Sequence, residues 1–457
     1  MPVLNPPRFA RALVAIIVLL GGCEKFATSG APVPDAAMQE TVEHSNPPPV
    51  PKPAPKPSTP EILSKDGRWA KVRVSENADA DLETQIRQLE AIGYASGTKT
   101  APSFVGVTIH ESERAQQGLN LYTSGHKAEA ELITMDGRVV HRWSYDFWDV
   151  WPNHNVDPSE IHTRFWRRAR LFENGDLLAI HEGLGLIKLD KNSKLIWARP
   201  NRAHHDVQIL PNGNIAVLTR KARASREFGF KRAILEDFVV ILGPDGRDKV
   251  RSSLLKAFER SREYGDIWKN APRRWGDVFH TNSVEVLDGR FADRNPALAK
   301  GNYLLSSRAL STVFVVDPRS ERVVWALRSS FKAQHDARML DTAELMLLDN
   351  RGQEGASAVQ IYDPATSKLK WEYRGTKEHP FYTRSCGAAQ RLPNGNTLVT
   401  ESDNGRAFEI TEDDTIVWEF YNPHRAGEED EYIATLFLVE RLPPDFPTSW
   451  TDGATAD

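Results

Sequence analysis

The chain has 457 residues, of which 40% are hydrophobic and 26% charged, and its formal net charge is −4. That composition agrees with a globular body, and it lacks the basic excess a nucleic-acid partner normally requires.

In chain order, Arg8 and Arg11 precede a mostly aliphatic or small stretch over residues 12–22, followed by Cys23. An apolar core this short reads as a signal peptide, not a membrane span. The sequence LLGGC resembles the lipobox of bacterial lipoproteins, with Leu20 three residues before Cys23. Cys23 is therefore expected to become the acylated first residue of the mature chain; an ordinary signal with an incidental cysteine is the alternative. Glu24 follows, which by the enteric sorting rule places the anchor at the outer membrane, facing the periplasm. Loss of residues 1–22 takes the net charge from −4 to about −6, and lipidation of Cys23 leaves Cys386 without an internal partner. Such a cysteine is either buried or reactive.

Residues 23–65 read as a Pro-rich tether. Ten of the chain's 29 prolines fall between positions 32 and 60. The stretch cannot bury a core and is expected to be extended, at about 3.1 Å per residue where it is polyproline II. Residues 66–100 are assigned to a short helical segment. Within it, Leu82, Ile86, Leu89 and Ile92 share one face over 79–93, Asp79 or Asp81 can cap the start, and Gly93 stands where a C′ glycine would. The helix is expected on the outside or bottom of the body.

Residues 101–445 are built from a repeat, and 446–457 read as a flexible tail. The unit is plainest at 203–220, AHHDVQILPNGNIAVLTR: a histidine pair, an alternating run, a Pro-Asn-Gly turn and a second apolar run. That is a β-hairpin with histidine at its mouth. Related hairpins occur at 165–182, 334–351 and 385–402, with a looser copy from His280 that resumes after an insertion as GNYLLSSR. Each is followed by a second hairpin, usually ending in Trp, as at Trp143, Trp197, Trp325, Trp371 and Trp418. Those tryptophans are read as packing between units. Six units of four strands predict an all-β fold, a six-bladed β-propeller. The first blade is expected to take its inner strands from 105–124 (GVTIH, GLNLYTS), and a strand within 432–442 to close the ring. Two insertions interrupt the repeats, 253–275 with a helical first half and 291–300; the former precedes His280 and suits a lid or wall.

The innermost strand of each propeller blade lines a central channel, so equivalent positions converge. Aligned on the leucine before each turn (Leu210, Leu287, Leu340, Leu392), the position five residues earlier is His205, Asn282, His335 and Gly387. His280 lies two before that position in its unit and His204 one before in its own. At the far end of the following strand come Arg220, Arg308 and Arg351, with His181 and Glu182 in the second unit. These imidazoles and guanidiniums would face one pocket, an anion site containing bases.

The blocks AHHDVQILPNGN, DVFHTNSVEV, AQHDARML with LLDNRG, and RLPNGNTLVTESDNGRAFEI resemble the bacterial arylsulfate sulfotransferases, a family of six-bladed propellers; the resemblance spans about 105–420. It implies transfer of a sulfuryl group from an aryl sulfate to a phenol through a transient sulfohistidine, with no nucleotide donor and no cofactor. Carried over by motif, the catalytic positions are His205 or its neighbour His204, His280, Arg308 and His335, with the nucleophile at His335. His204, Asn282, Arg220 and Arg351 are expected to bind substrate, and no metal is expected.

Chemistry supports these residue types. A sulfuryl group in transfer spreads charge over three oxygens, so it needs an in-line nucleophile and fixed cations. A neutral imidazole can form a covalent intermediate, and an arginine cannot deprotonate. His280 and His205 can donate to the oxygens or pass the phenol's proton. Asp206 and Asp336 adjoin histidines, but alternation points them elsewhere, towards neighbouring backbone. The sixth unit departs from the pattern, with Ser385, Cys386 and Gly387 where others carry histidine. Trp148, Trp151, Trp166, Trp268, Phe279 and Tyr382 are candidate aromatic walls, and Arg167, Arg168, Arg273 and Arg274 read as a solvated rim. Two other readings stand beside this one: a non-catalytic propeller lipoprotein binding a protein or polysaccharide, and a zinc site on the same histidines, against which Arg308 would repel the cation.

Overall fold

The computed structural model describes residues 82–90 and 95–451 apart from positions 158, 159, 230, 273 and 354. The leader, Cys23, the tether, the capping candidates Asp79, Asp81 and Gly93 and the face residue Ile92 lie outside that range. No described helix is long and apolar enough to cross a membrane.

Among the described residues six sheets of four or five strands, antiparallel apart from the pairing of Gly276–Asp277 with Ala233–Leu242, follow one another along the chain, with a small three-stranded sheet beside them. The third sheet shows how each forms. Leu210 N–H donates to Asn214 O at 2.8 Å, Gly213 takes φ +77° and Asn212 Oδ1 accepts from Asn214 N at 3.1 Å. The Pro-Asn-Gly turn thus fixes the register of Ala203–Ile209 against Ile215–Ala224. In the fifth unit Ala343 holds the glycine position at φ +67°.

The innermost strands, among them Ala203–Ile209, Thr281–Val286 and His335–Met339, touch in sequence. Each would leave an unpaired backbone edge, and polar side chains of the neighbouring sheet satisfy it. Asp206 Oδ2 accepts from Val284 N at 3.0 Å, Gln208 Oε1 from Val286 N at 2.7 Å, Ser283 Oγ from Ala337 N at 3.1 Å and Glu285 Oε2 from Met339 N at 2.9 Å. This is why alternate inner positions are polar. Between the sheets run apolar layers, and three of the repeat tryptophans donate to carbonyls in the next sheet's turn: Trp143 to Gly175 O, Trp197 to Pro244 O and Trp418 to Met135 O. The fold is a β-propeller.

Leu436–Arg441 pairs with Asn120–Ser124 as the inner strand of the first sheet, so the end of the chain closes the ring onto its beginning. Gly106–His110 (GVTIH) is not part of that sheet: it forms the outer edge of the sixth, against Ile416–Tyr421. Its alternating pattern fits an outer strand as well as an inner one, and pairing with the last unit decides its place. Within 66–100 the helix Leu82–Glu90 is followed by a strand, Gly97–Thr100, of the small sheet. Leu82, Ile86 and Leu89 pack on Ala222, Ala233 and Leu235 of the third sheet. The tail is not free over its described part, since Phe446 and Trp450 pack on the first-sheet and second-sheet core.

Candidate active site

The site lies where the inner strands begin. There each strand is bulged, between Ala203 and Val207, Thr281 and Ser283, and His335 and Arg338. His205 (φ +56°), His280 (+48°), Asp336 (+54°) and Cys386 (+58°) adopt left-handed backbone. Each costs on the order of 1–3 kcal/mol, strain that collects at functional sites.

His335 is buried, and its ring is fixed from behind. Nδ1 lies 2.7 Å from Asn350 Oδ1 and 3.0 Å from Ala333 O, both acceptors, so the proton is on Nδ1. The Asn350 amide cannot be reversed, because its Nδ2 donates to Thr383 O at 2.9 Å and Cys386 O at 2.7 Å. Nε2, left with its lone pair, has no hydrogen-bond partner. Burial, joined by the Arg308 cation and then by His280 and Arg167, holds this imidazole well below its usual range, hence neutral.

His205 and His280 meet through Nε2 atoms 3.3 Å apart. His280 Nδ1 is bonded to Asp277, a carboxyl that burial would raise but that His280, Arg220 and Arg308 bring down to about 2. His205 Nδ1 faces His204 Nδ1 at 2.8 Å and Glu182 Oε1 at 3.4 Å, and its N–H donates to Glu182 Oε2 at 2.9 Å. Burial, then His280 and His204, keep His205 well below the usual imidazole range. Arg220 reaches Glu182 Oε1 at 3.5 Å, its guanidinium against Gly183, where a Cβ would collide with it. Asp237 stands 3.7 Å from His204 Nε2 and is pushed up to about 7 by burial and by Asp277. These two carboxyls share a site unequally: one ionised, one protonated near neutrality.

His335, His280, His205, His204, Arg308 and Arg220 are therefore brought together. Asn282 joins through the backbone, its Nδ2 donating to Gln334 O at 2.7 Å beside His335. Arg351 does not join. It is exposed: the strand Leu345–Gln353 loses regular pairing after Asp349, whose Oδ1 accepts from the N–H groups of Lys332, Arg351 and Gly352. Its neighbour Asn350 points inward instead. Arg167 and Arg168 are not a solvated rim either; they are 1% and 2% exposed. Arg167 acts electrostatically on His205 and His335, and Arg168 Nε donates to His205 O at 3.1 Å. Arg273 lies outside the described residues, and Arg274 pairs with Glu227 at 3.4 Å.

Asp206 braces neighbouring backbone and arginines, whereas Asp336 meets arginines alone among the described contacts. Asp206 meets Arg338 at 2.5 Å, Arg170 at 3.3 Å and Arg168 at 3.4 Å, and Asp336 meets Arg338 at 2.9 Å. A cavity of about 1070 Å³ lies towards the turn ends of the same strands, among Arg170, Gln208, Glu285 and Gln390. None of the expected catalytic or substrate-binding residues lines it.

Of the aromatic candidates, Trp268 stacks on Phe279 at 5.2 Å, both buried in the apolar core that the helical insertion covers. Trp166 Nε1 donates to His181 Nε2 at 3.0 Å. His181, brought down to about 3 by burial, stays neutral. Cys386 is buried and burial pushes its thiol up to about 11, so it is not a reactive cysteine. Glu182, His204 and His205 offer donor atoms within 4.8 Å of one another. With Arg220 already against Glu182, a cation there would meet a fixed positive charge.

Fold and site thus define a β-propeller whose inner strands gather buried imidazoles and arginines at one end. The chain belongs to the arylsulfotransferase (ASST) family, which it matches over residues 168–423. The curated proteins contain no match. Among solved structures it is similar to a protein of unknown function from Bacteroides caccae (11% identity, 70% of this chain and 98% of that one, TM-score 0.46). A streptogramin B lyase (12%, 75% and 97%, TM-score 0.42) and virginiamycin B lyase from Staphylococcus aureus (10%, 73% and 94%, TM-score 0.40) are also similar.

Proposed function

We propose that this arylsulfotransferase-like enzyme moves a sulfuryl group from an aryl sulfate to a phenolic acceptor by way of a sulfohistidine at His335, without a nucleotide. One observation carries the reading: His335 is neutral, its proton is pinned on Nδ1 by Asn350, and the free Nε2 lies in the field of Arg308 and Arg167.

In the first half-reaction Nε2 attacks sulfur, an N–S bond forms and the S–O bond to the aryl oxygen breaks. Arg308 supplies a fixed cation for the sulfuryl oxygens. The leaving phenolate takes a proton from the His205–His280 pair, whose facing Nε2 atoms can hold one between them. In the second half the acceptor phenol returns its proton to that pair, its oxygen attacks sulfur, and the N–S bond breaks. Asp277 would stabilise the imidazolium on His280 before the first transfer and after the second, and in the interval the pair is neutral.

The test is intact-mass analysis after mixing the purified chain with p-nitrophenyl sulfate and a mildly alkaline quench. A gain of one SO3 with phenol release, absent in a folded His335→Asn, supports the route. Neither adduct nor phenol with any of a panel of aryl sulfates would favour a binding propeller. We place the protein in the periplasm, tethered through an acylated Cys23 at the outer membrane; the LLGGC pattern supports this. Labelling with a fatty-acid analogue, lost in Cys23→Ser, checks it.

A further inference from the structure

Glu182 follows the strand Leu177–His181 of the second unit, is fully buried, and serves the third unit in two ways at His205. Its Oε2 accepts the His205 N–H at 2.9 Å, at a residue held in left-handed backbone (φ +56°). Its Oε1 lies 3.4 Å from His205 Nδ1 and 3.5 Å from Arg220 Nη1. The ion pair with Arg220 keeps the carboxylate in place, and Gly183 leaves the guanidinium room to reach it.

The ring follows from this. A carboxylate only accepts, so the His205 proton belongs on Nδ1, towards Glu182 and towards His204 Nδ1 at 2.8 Å, and Nε2 carries the lone pair. Asp277, bonded to His280 Nδ1, orders that ring in the same way. Two Nε2 lone pairs thus face each other across 3.3 Å, an arrangement satisfied by a proton between them. That proton makes the pair a cation. Burial and the charges of His280, His204, Arg167 and His335 press against positive charge on His205 itself. The charge therefore rests on His280 beside Asp277, with its N–H donated to the His205 lone pair. With its proton on Nε2 instead, His205 would hand its own N–H to His280, and the pair would be neutral, too weak an acid to protonate a phenolate.

We propose that Glu182 is a positioning residue of the transfer: by fixing the backbone and the tautomer of His205, it lets the His205–His280 pair hold the proton that the leaving phenolate takes. This rests on the sulfohistidine reading. In the step concerned the N–S bond forms at His335 and the S–O bond to the aryl oxygen breaks. The electron pair left on that oxygen takes the proton from between the two Nε2 atoms. The pair is left neutral, with Glu182 and Asp277 still facing its two Nδ1–H groups.

The test is kcat/KM for the donor, which in a two-step transfer reports the first half-reaction alone, in wild type and Glu182→Gln with two esters. Glutamine keeps an acceptor for the His205 N–H and removes the charge. The nitro group of p-nitrophenyl sulfate lets its phenolate leave without a proton, whereas an unsubstituted phenol, titrating like tyrosine at about 10, needs one. Glu182→Gln should lose on the order of 100-fold with phenyl sulfate and stay within about 3-fold of wild type with p-nitrophenyl sulfate. The second rate also shows that fold and nucleophile are intact. Equal losses with both esters, or no loss with either, would overturn the proposal and leave the reading standing; a wild type that releases phenol from neither ester would overturn both. A measurement on the wild type covers a variant that does not fold. Nitrogen-15 NMR of histidine-labelled chain at mildly alkaline pH, with His205 assigned through His205→Gln, should find the proton on Nδ1, and a proton on Nε2 would overturn the proposal.

Discussion

His335 Nδ1 donates to Asn350 Oδ1 across 2.7 Å, and the same amide donates to the carbonyls of Thr383 and Cys386 from the next unit. The sixth unit, which lacks a histidine at this register, thus contributes by fixing the histidine of the fifth. Asn350→Leu should lower kcat on the order of 10–100-fold, the loss typical when a ring-orienting partner is removed, with KM little changed. Asn350→Asp, which keeps the acceptor, should recover a large part of it. Steady-state kinetics with p-nitrophenyl sulfate separates the two parameters; equal kcat in Asn350→Leu and wild type would show that the amide does not act through the ring.

Arg308 has two effects on His335. It supplies charge to the sulfuryl oxygens, and after burial it is the largest influence keeping the imidazole unprotonated. Arg308→Lys keeps a point charge and loses the fork, and should cost on the order of 10-fold in kcat/KM, whereas Arg308→Ala should cost on the order of 10³-fold. The sign of the pH effect is fixed as well. Without the cation the folded-state value for His335 rises, a larger fraction is protonated at a given pH, and the acid limb of kcat/KM moves to higher pH in Arg308→Ala. A pH–rate profile reads this directly.

The repeat was legible because its turns are: Pro-Asn-Gly between alternating runs sets each hairpin's register, and the leucine before the turn lets units be superposed. From that superposition His205, His280, Arg308 and His335 could be read towards one pocket. Period-two reasoning fails at the strand mouths, where bulges and left-handed residues such as His205 and His280 break the alternation. It therefore placed Arg351 inward and passed over Asn350. Arg167 and Arg168 looked like a basic rim because composition cannot show that carboxylates from two other units, Asp206 and Asp336, meet Arg168, or that Arg167 lies over the Phe437 ring. Asp237 and Asp277 are likewise 40 residues apart in the chain and coupled in space, with no local pattern to signal it.

Asp206 is the hub of the arginines on the inner strands. Burial opposes its ionisation, but Arg338, Arg168 and Arg170 together overcome it and hold the carboxyl well below the usual range. Asp206→Asn leaves that positive charge uncompensated and should cost about 3–5 kcal/mol, seen as a Tm lower by on the order of 10 °C. Because the folded value is depressed, the stabilisation is present above the normal carboxylate range and is lost as the pH falls. The gap between wild type and variant should narrow below about pH 4; a gap constant from pH 7 to 3 would show that Asp206 contributes by shape alone.

Asp237 behaves in the opposite sense. Burial and the nearby Asp277 charge push it up to about 7, so the folded chain keeps a proton that the unfolded chain releases near pH 4. Its contribution is greatest in acid and is lost as the pH rises through about 7. Asp237→Asn keeps an acceptor for Thr281 N–H, which the carboxylate now accepts at 2.8 Å, and removes the titration. Urea unfolding at pH 5 and pH 8 should show the variant gaining roughly 2–4 kcal/mol on the wild type between the two. A parallel pH dependence in both would place Asp237 in its ordinary range.

Ring closure rests on the strand Leu436–Arg441, and Arg441 is its anchor. Buried to 2% exposure, Arg441 donates from Nε to Asn120 Oδ1 at 2.6 Å and pairs through Nη1 with Glu409 at 3.0 Å. It thereby ties the last strand to both the first and the sixth sheets. Truncation before Leu436 removes the inner strand of the first sheet, exposes the Asn120–Ser124 edge and should give an insoluble chain, since such an edge invites pairing between molecules. Arg441→Met separates the ion pair from the strand itself: it strands Glu409, which is fully buried, and should cost about 3–5 kcal/mol while the protein still folds. Soluble expression of the truncated chain at the wild-type Tm would mean that the sheets hold together without this seam. A soluble Arg441→Met of lowered Tm, beside an insoluble truncation, would show that strand pairing closes the ring and the Arg441 contacts only strengthen it.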